Sequence, residues 1–281
     1  MFKFTQLREN SPLVKLGLEA QTVSLEAMAI AVPSGALQNR LTGIVKEVSG
    51  YVNGFVSKPS EWNNLIKTKD AIKVLENAGY AHFKDIEVYC APGQVGSYLD
   101  TLDVFEECQL FVDRLHGDLI GPFSTWVAMI LTTPMFLGSA RGTLVLKMRD
   151  SDLEKCRSAL SGAFSGKNGS AINYHDAIAR HSDWSVIEKR TNALIERQAK
   201  IDPKKFQESI NQLNENLTTL VESLQNDRDT FKISGREVDM LAKACHFTAV
   251  CVEFYAVYST QLQSFIQATD DTIERLKDIA R

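Results

Sequence analysis

The sequence predicts a mainly α-helical fold: a multi-helix bundle with a long C-terminal antiparallel helical hairpin and a small two-stranded β element. Three observations carry that prediction. Through the last hundred positions, apolar residues recur at alternating intervals of four and three, the spacing of a helix seam. Several of the apolar runs are headed by Ser or Asp with proline or glutamate at the spacing of a helix start. Only two short stretches, "DIEVYCAPG" at 85–93 and "GTLVLKM" at 142–148, carry strand patterning.

In chain order, Ser11-Pro12 offers an N-cap with proline at the first helical position, opening a helix that Pro33-Ser34-Gly35 ends after Ala31. A second helix is expected from Ala36 to Phe55, and shorter ones over Ser60 to Lys67 and Lys69 to Ala78, the last closed by Gly79. In 85–93, Ile86, Val88 and Cys90 alternate with Glu87 and Tyr89 before a Pro-Gly turn, the pattern of a half-buried strand. From Tyr98 to Leu115 the positions of Leu99, Leu102, Phe105, Leu110 and Val112 fit a helix.

The uncharged stretch Leu119 to Ala140 has the length of a membrane span, but Gly121, Pro122, Pro134 and Gly138 break it, so a buried core helix is expected there. The 142–148 strand is expected to pair with 85–93. Ser151 and Glu154 have capping-box spacing for a helix running to Phe164, followed by the loop "SGKNGSAIN" at 165–173 and a helix from Trp184 to Ala199.

The C-terminal region is built on two seams. Behind Asp202-Pro203 run Phe206, Ile210, Leu213, Leu217, Leu220 and Leu224. Behind Ser234 and Glu237 run Val238, Leu241, Cys245, Thr248, Val252, Tyr255, Ser259, Leu262, Ile266, Thr269, Ile273, Leu276 and Ala280. A continuous helix of the second extent is roughly 65 Å long at 1.5 Å per residue. Two heptad helices joined by a short connection fold back as a hairpin. The uncovered part of the longer arm then packs on the N-terminal region, on the 184–199 helix, or on another subunit. The chain divides accordingly into an N-terminal helical segment open to processing (1–57), a mixed segment with the small β hairpin (58–170) and the long helical hairpin (171–281).

Composition bounds the function. With 281 residues, 44% of them apolar, the chain has material for a sizeable core. A net charge of −4 without a basic stripe argues against a generic electrostatic grip on nucleic acid, which needs clustered Lys and Arg. The five cysteines, Cys90, Cys108, Cys156, Cys245 and Cys251, lie mostly in helical patterns among apolar neighbours and read as reduced, buried residues of a cytosolic protein. Arg8, Glu9 and Lys15 interrupt any secretory pattern at the start.

Catalytic signals are sparse. Gly162 and Gly166-Lys167 resemble a phosphate-binding loop, but their spacing is short, no Ser or Thr follows the lysine, and a helix rather than a strand precedes them. His116, Asp118, His175, Asp176 and His181 are candidate metal ligands, yet the six-residue step between His175 and His181 does not place them on one helical face. His246 adjoins Cys245, and adjacent helical residues point apart, against a Cys–His nucleophile pair. Asp100, Asp103, Glu106, Glu107 and Asp113 form an acidic patch, read as a solvated helix face. Cys90 sits at a turn with nothing local to lower its pKa. The expectation is a protein that is not an enzyme and takes no cofactor or metal.

One N-terminal stretch, "VSLEAMAIAV" at 23–32, carries a different kind of signal. Ser24-Leu25-Glu26 precedes Ala27, and Gly17-Leu18-Glu19 precedes Ala20. This resembles the N-terminal regions of internal virion proteins of large (jumbo) tailed bacteriophages, in which a prohead protease cuts after a small residue, any residue and glutamate. The block "DIEVYCAPGQVGSYLDTLDVFEE" leading into "LIGPFSTWVAMILTTP" is also similar to stretches of virion-associated proteins of such phages. The resemblance implies a structural, head-associated or internal virion component assembled in the host bacterial cytoplasm. Its partners would be other virion proteins or copies of itself, with Glu19, Ala20, Glu26 and Ala27 at the candidate cleavage sites. The alternative expectation is an α-helical membrane-active protein that shelters "WVAMILTTPMFLG" against its long helices until release.

Overall fold

The structure, a computed structural model, describes residues 69–78, 83, 86–133, 144–166, 171–178, 183–201, 203–226 and 235–280. The two expected N-terminal helices, the Ser60 to Lys67 helix and the Gly79 cap lie outside those residues. The described chain is mostly helical, with one small antiparallel sheet. Its elements are α1 (Lys69–Ala78), β1 (Glu87–Tyr89), α2 (Tyr98–Val112), a π-helical turn (Leu115–Ile120), α3 (Gly121–Thr132), α4 (Asp150–Ala163), β2 (Ala171–Asn173), the single turn α5 (Tyr174–Ala177), α6 (Asp183–Lys200), α7 (Pro203–Asn226) and α8 (Gly235–Ile279).

β1 lies where its alternation places it, with Val88 buried and Glu87 exposed. Its partner differs from the expectation. β1 pairs antiparallel with β2, register Glu87 to Asn173, Val88 to Ile172 and Tyr89 to Ala171, so the last third of the expected Gly/Ser loop is a strand. Residues 144–148 form no strand. They run as an irregular segment tied to the π-helical turn, where Lys147 N donates to Asp118 O at 3.4 Å and Arg114 Nη2 donates to Lys147 O at 3.1 Å. The short β2 escapes detection because a three-residue strand contains too few alternations to register as a period.

A tight turn connects β1 to α2. Gln94 N donates to Ala91 O at 2.9 Å, and Gly93 between them takes φ +83°, the geometry of a type II turn with proline at its second position. The buried Gln94 side chain closes the loop by accepting from Ala91 N at 3.1 Å. The turn docks on the end of α4, where Gly166 N donates to Gly93 O at 2.8 Å and Val95 N to Ala163 O at 3.0 Å.

Helix starts follow sequence only in part. Ser97 caps α2 by accepting from Asp100 N at 3.1 Å, and Pro203 is the first residue of α7. The expected capping box at Ser151 and Glu154 does not form. The N-cap of α4 is Arg149, which makes no side-chain cap bond. Ser151 lies inside the first turn, where Asp150 and Asp152 face the positive end of the helix dipole. On α2, Leu102, Phe105 and Val112 are buried as expected, whereas Leu110 is 57% exposed. The broken apolar segment is a core helix: α3 buries Phe123, Trp126, Val127 and Ile130. Thr133 turns extended before Pro134, the conformation that a following proline favours.

The C-terminal expectation is corrected in its pairing. Both long helices exist, but the hairpin is not what organises them. α7 lies along α3 and the π-helical turn, and its contact with α8 includes the ring pair Phe206 and Tyr255, 5.6 Å apart. α8 instead runs as a single 45-residue helix against α1, β1, α2, α4 and the π-helical turn. The seam residues are buried: Phe206, Ile210, Leu213, Leu217 and Leu220 on α7, and Leu241, Val252, Tyr255, Leu262, Ile266, Ile273 and Leu276 on α8. The Leu224 side chain is outside what the structure describes. A second stripe on α8, comprising Ala244, Phe247, Cys251, Phe254, Tyr258 and Phe265, is equally buried. A helix with one apolar seam suits a two-helix hairpin, whereas one with two stripes must be covered on both.

The core is one continuous cluster reaching from Ile72 to Leu276. Its centre is aromatic. Phe105 packs within 5.4–5.8 Å, ring centre to ring centre, of Phe265, Phe164 and Tyr258, and Tyr98 lies 5.7 Å from Phe265 and 5.8 Å from Trp184. The polar ends of these rings are satisfied: Trp184 Nε1 donates to Tyr174 OH at 2.9 Å and Tyr98 OH donates to Thr272 Oγ1 at 3.2 Å. Each such side chain removes a large apolar area from water while keeping its hydrogen bond.

Candidate functional site

The densest polar arrangement among the described residues joins α2 to α6. At the surface, Arg190 of α6 grips Glu106 with both arms of its guanidinium, Nε to Oε1 at 2.7 Å and Nη2 to Oε2 at 2.8 Å, while Nη2 also donates to Asp103 Oδ1 at 2.6 Å. Two turns along, Arg197 Nη2 lies 2.7 Å from Asp113 Oδ2. Such bidentate, charge-assisted contacts are the strong class of side-chain hydrogen bond. The bond to Glu106, with the bond to Asp103, holds the Arg190 guanidinium well above its ordinary range.

Beneath this rim the network enters the core. Gln198 Nε2 donates to Gln109 Oε1 at 2.6 Å, Tyr258 OH donates to the same oxygen at 2.7 Å, and Gln109 Nε2 reaches Asp113 Oδ1 at 2.6 Å. Tyr255 OH completes it by donating to Gln198 Oε1 at 3.3 Å. Gln109 is fully buried and Gln198 nearly so. Burial raises the pKa of Tyr258 far above the ordinary value and pushes that of Tyr255 up to about 12, so both phenols remain hydrogen-bond donors at any physiological pH. The network therefore locks α2, α6 and α8 in one register. Its open groove, about 400 Å³, is lined by the arginines, their carboxylates and the exposed Leu110.

The acidic patch read from sequence is thus only partly a solvated face. Asp103, Glu106 and Asp113 hold arginines, Glu107 pairs with Lys155, and Asp100 accepts from the Ser97 hydroxyl at 2.7 Å. The arginines and the two glutamines escaped the sequence reading. Their signal was present, since Gln109 sits four residues after Phe105 and three before Val112 on the apolar face. A polar residue in such a position needs an internal partner.

The other sequence candidates are not gathered into a site. His116 Nε2 lies 2.8 Å from Ser209 Oγ, Asp118 pairs with Arg114, and His175 is an exposed residue whose backbone N–H is capped by Asn173. His181 and Lys167 fall outside the described residues, as do Glu19, Ala20, Glu26 and Ala27. Among the described residues, no three His, Cys, Asp or Glu side chains are placed to share a metal. Gly162 lies within α4, and Gly166 docks on the Gly93 turn. The Cys90 thiol is pushed up to about 11 by burial, the opposite of an activated nucleophile.

A second groove of about 320 Å³ lies between the 144–148 segment and the start of α8, lined by Leu144, Leu146, Met148, Met240 and Phe247 and edged by Arg149, Asp150 and Lys243. Nearby on α8, His246 feels the charges of Asp150 and Arg157 of α4, and Glu253 that of Arg157. His246 Nδ1 and Glu253 Oε1 are buried without a hydrogen-bond partner. The sequence matches no protein-family model and no curated protein, and the fold matches no solved structure.

Proposed function

We propose that this chain is a non-enzymatic structural component of a large tailed-phage virion, head-associated or internal, that works through helix-mediated contacts with other virion proteins or with copies of itself. The observation that carries the reading is the pair of cleavage-like sequences, Gly17-Leu18-Glu19 before Ala20 and Ser24-Leu25-Glu26 before Ala27. The α2–α6 site supports it from the other side. Its arginines and carboxylates neutralise one another, and its amides and phenols bond among themselves, an arrangement suited to holding helices rather than to turning over a substrate. Because the heptad seams are covered within the chain, contacts with neighbours would use the outer helix faces. The test is intact mass and N-terminal peptide mapping of the protein from its natural source, with particles separated from soluble lysate. Particle-associated chains beginning at Ala20 or Ala27 are expected, and a chain that starts at Met1 and occurs only in the soluble fraction would overturn the proposal.

A second reading, a membrane-active helical protein, is favoured by one observation. Residues Met240–Ile279 of α8 are long and apolar enough to cross a bilayer, although more than half of the most apolar part is buried inside the protein. The stretch around α3 is less suited than its composition implies. Its 12 helical residues reach only about 18 Å against a hydrocarbon core of about 30 Å. Dye leakage from liposomes of varied charge and pH tests this reading, and inert protein throughout would dismiss it.

A further inference from the structure

Two of the five thiols, far apart in sequence, meet in the core. Cys108 of α2 and Cys156 of α4 lie on helices packed side by side, and the Cys108 Sγ–H points at the Cys156 carbonyl oxygen at 3.6 Å. Cys108 is fully enclosed, whereas Cys156 keeps 4% of its surface exposed. Glu107 and Lys155, the residues preceding the two cysteines, form an exposed ion pair with each other.

We infer that Cys108 and Cys156 are a peroxide-responsive pair, able to close a disulfide that ties α2 to α4. Cys156 is the sulfur that reacts first. Its neighbour Cys108 lowers its pKa against the opposing effects of burial and Glu107, whereas Cys156 and burial raise the Cys108 thiol. The thiolate is the reactive form. The Cys156 thiolate attacks one oxygen of hydrogen peroxide. An S–O bond forms, the O–O bond breaks, and the departing hydroxide takes up a proton as water, leaving a sulfenic acid. The Cys108 sulfur then attacks the Cys156 sulfur. The S–S bond forms, the S–O bond breaks, and the leaving hydroxide carries off the Cys108 proton as a second water. Two thiols and one peroxide thus give one disulfide and two waters.

The other cysteines are poorer candidates. Burial raises the Cys245 and Cys251 thiols, and their spacing of six on α8 turns them to different sides of that helix. Cys90, raised to about 11, lies at the end of β1.

The experiment treats the folded full chain with a small excess of hydrogen peroxide, blocks free thiols and digests without reduction. A peptide joining Cys108 to Cys156 within one chain is expected, with a loss of ~2 Da from the intact mass and with Cys90, Cys245 and Cys251 still alkylated. Because this readout uses the unmodified protein, it does not depend on any variant folding. In Cys108→Ser, which keeps a donor at that position but cannot close the disulfide, a dimedone-labelled sulfenic acid should accumulate on Cys156. Over-oxidation of Cys156 in the unmodified protein without the linked peptide, or a dominant link through another cysteine, would overturn the inference.

Discussion

The amide of Gln198 donates to the carbonyl oxygen of the Gln109 side chain at 2.6 Å in the fully enclosed centre of the molecule. The same oxygen accepts from Tyr258 OH at 2.7 Å, so one acceptor binds α6 and α8 to α2. Replacing Gln198 by Leu leaves Gln109 with one donor fewer and removes the Gln198 oxygen that accepts from Tyr255 OH. The expected loss is about 1–3 kcal/mol, the penalty for orphaning buried polar groups. Urea unfolding of Gln109→Leu, Gln198→Leu and the double variant should give a coupling of about 0.5–3 kcal/mol; strict additivity would show that the two amides do not act together.

Thr248 offers the opposite case. Its hydroxyl is completely buried on α8 without a hydrogen-bond partner. Thr248→Val keeps the shape and removes the unsatisfied oxygen, so stability should rise by about 1 kcal/mol. A higher melting temperature in calorimetry is the expected result, and a clear drop would show that the hydroxyl is satisfied in solution.

At Gly93 two independent constraints coincide. Its φ of +83° disfavours any residue with a Cβ, and a Cβ built there would lie 2.9 Å from the Phe164 carbonyl oxygen. Gly93→Ala should cost about 1–3 kcal/mol, read as a lower urea midpoint. Gly162→Ala is the control. A Cβ at Gly162 meets nothing within 4 Å, and in a helix interior Ala is preferred over Gly by about 1 kcal/mol.

Two buried, unpartnered groups on α8, His246 Nδ1 and Glu253 Oε1, make stability depend on pH. Burial lowers the His246 pKa from 6.5, so the folded chain resists its protonation. The stability this contributes is present above 6.5 and is lost as pH falls through the depressed folded value. Burial raises the Glu253 pKa from 4.5. Its contribution is present below 4.5 and is lost as pH rises through the raised folded value. Glu253→Gln should therefore stabilise the protein at neutral pH and give no advantage below 4.5. His246→Leu should flatten the decline below 6.5. Melting temperatures of the three proteins across pH 4–8 check both signs.

How much of this was legible depended on how local the cause is. Helices such as Lys69–Ala78, Asp183–Lys200 and Pro203–Asn226 follow from their own apolar period, and the strand at Glu87–Tyr89 from its alternation. Partner choice was not legible. The 142–148 stretch has better strand composition than Ala171–Asn173, yet the ladder goes to the latter because Tyr174 N also donates to Ile86 O at 2.9 Å, extending the same edge. The α8 seam reads as the face of a hairpin, whereas a second buried stripe through Phe247, Phe254, Tyr258 and Phe265 gives this helix more than one face to cover. Arg190 and Glu106 lie 84 residues apart, and no spacing rule connects residues so distant.

The central position of α8 also orders the events of biosynthesis. The segments that surround it, from Lys69 to Ala163, leave the ribosome before it does, with their apolar faces still lacking the helix that covers them. Their core contacts span long stretches of chain, and such contacts form late. Until residues 235–279 emerge, the nascent protein holds Phe105, Phe111 and Leu115 without their permanent cover, a state prone to aggregation and a natural client for chaperones.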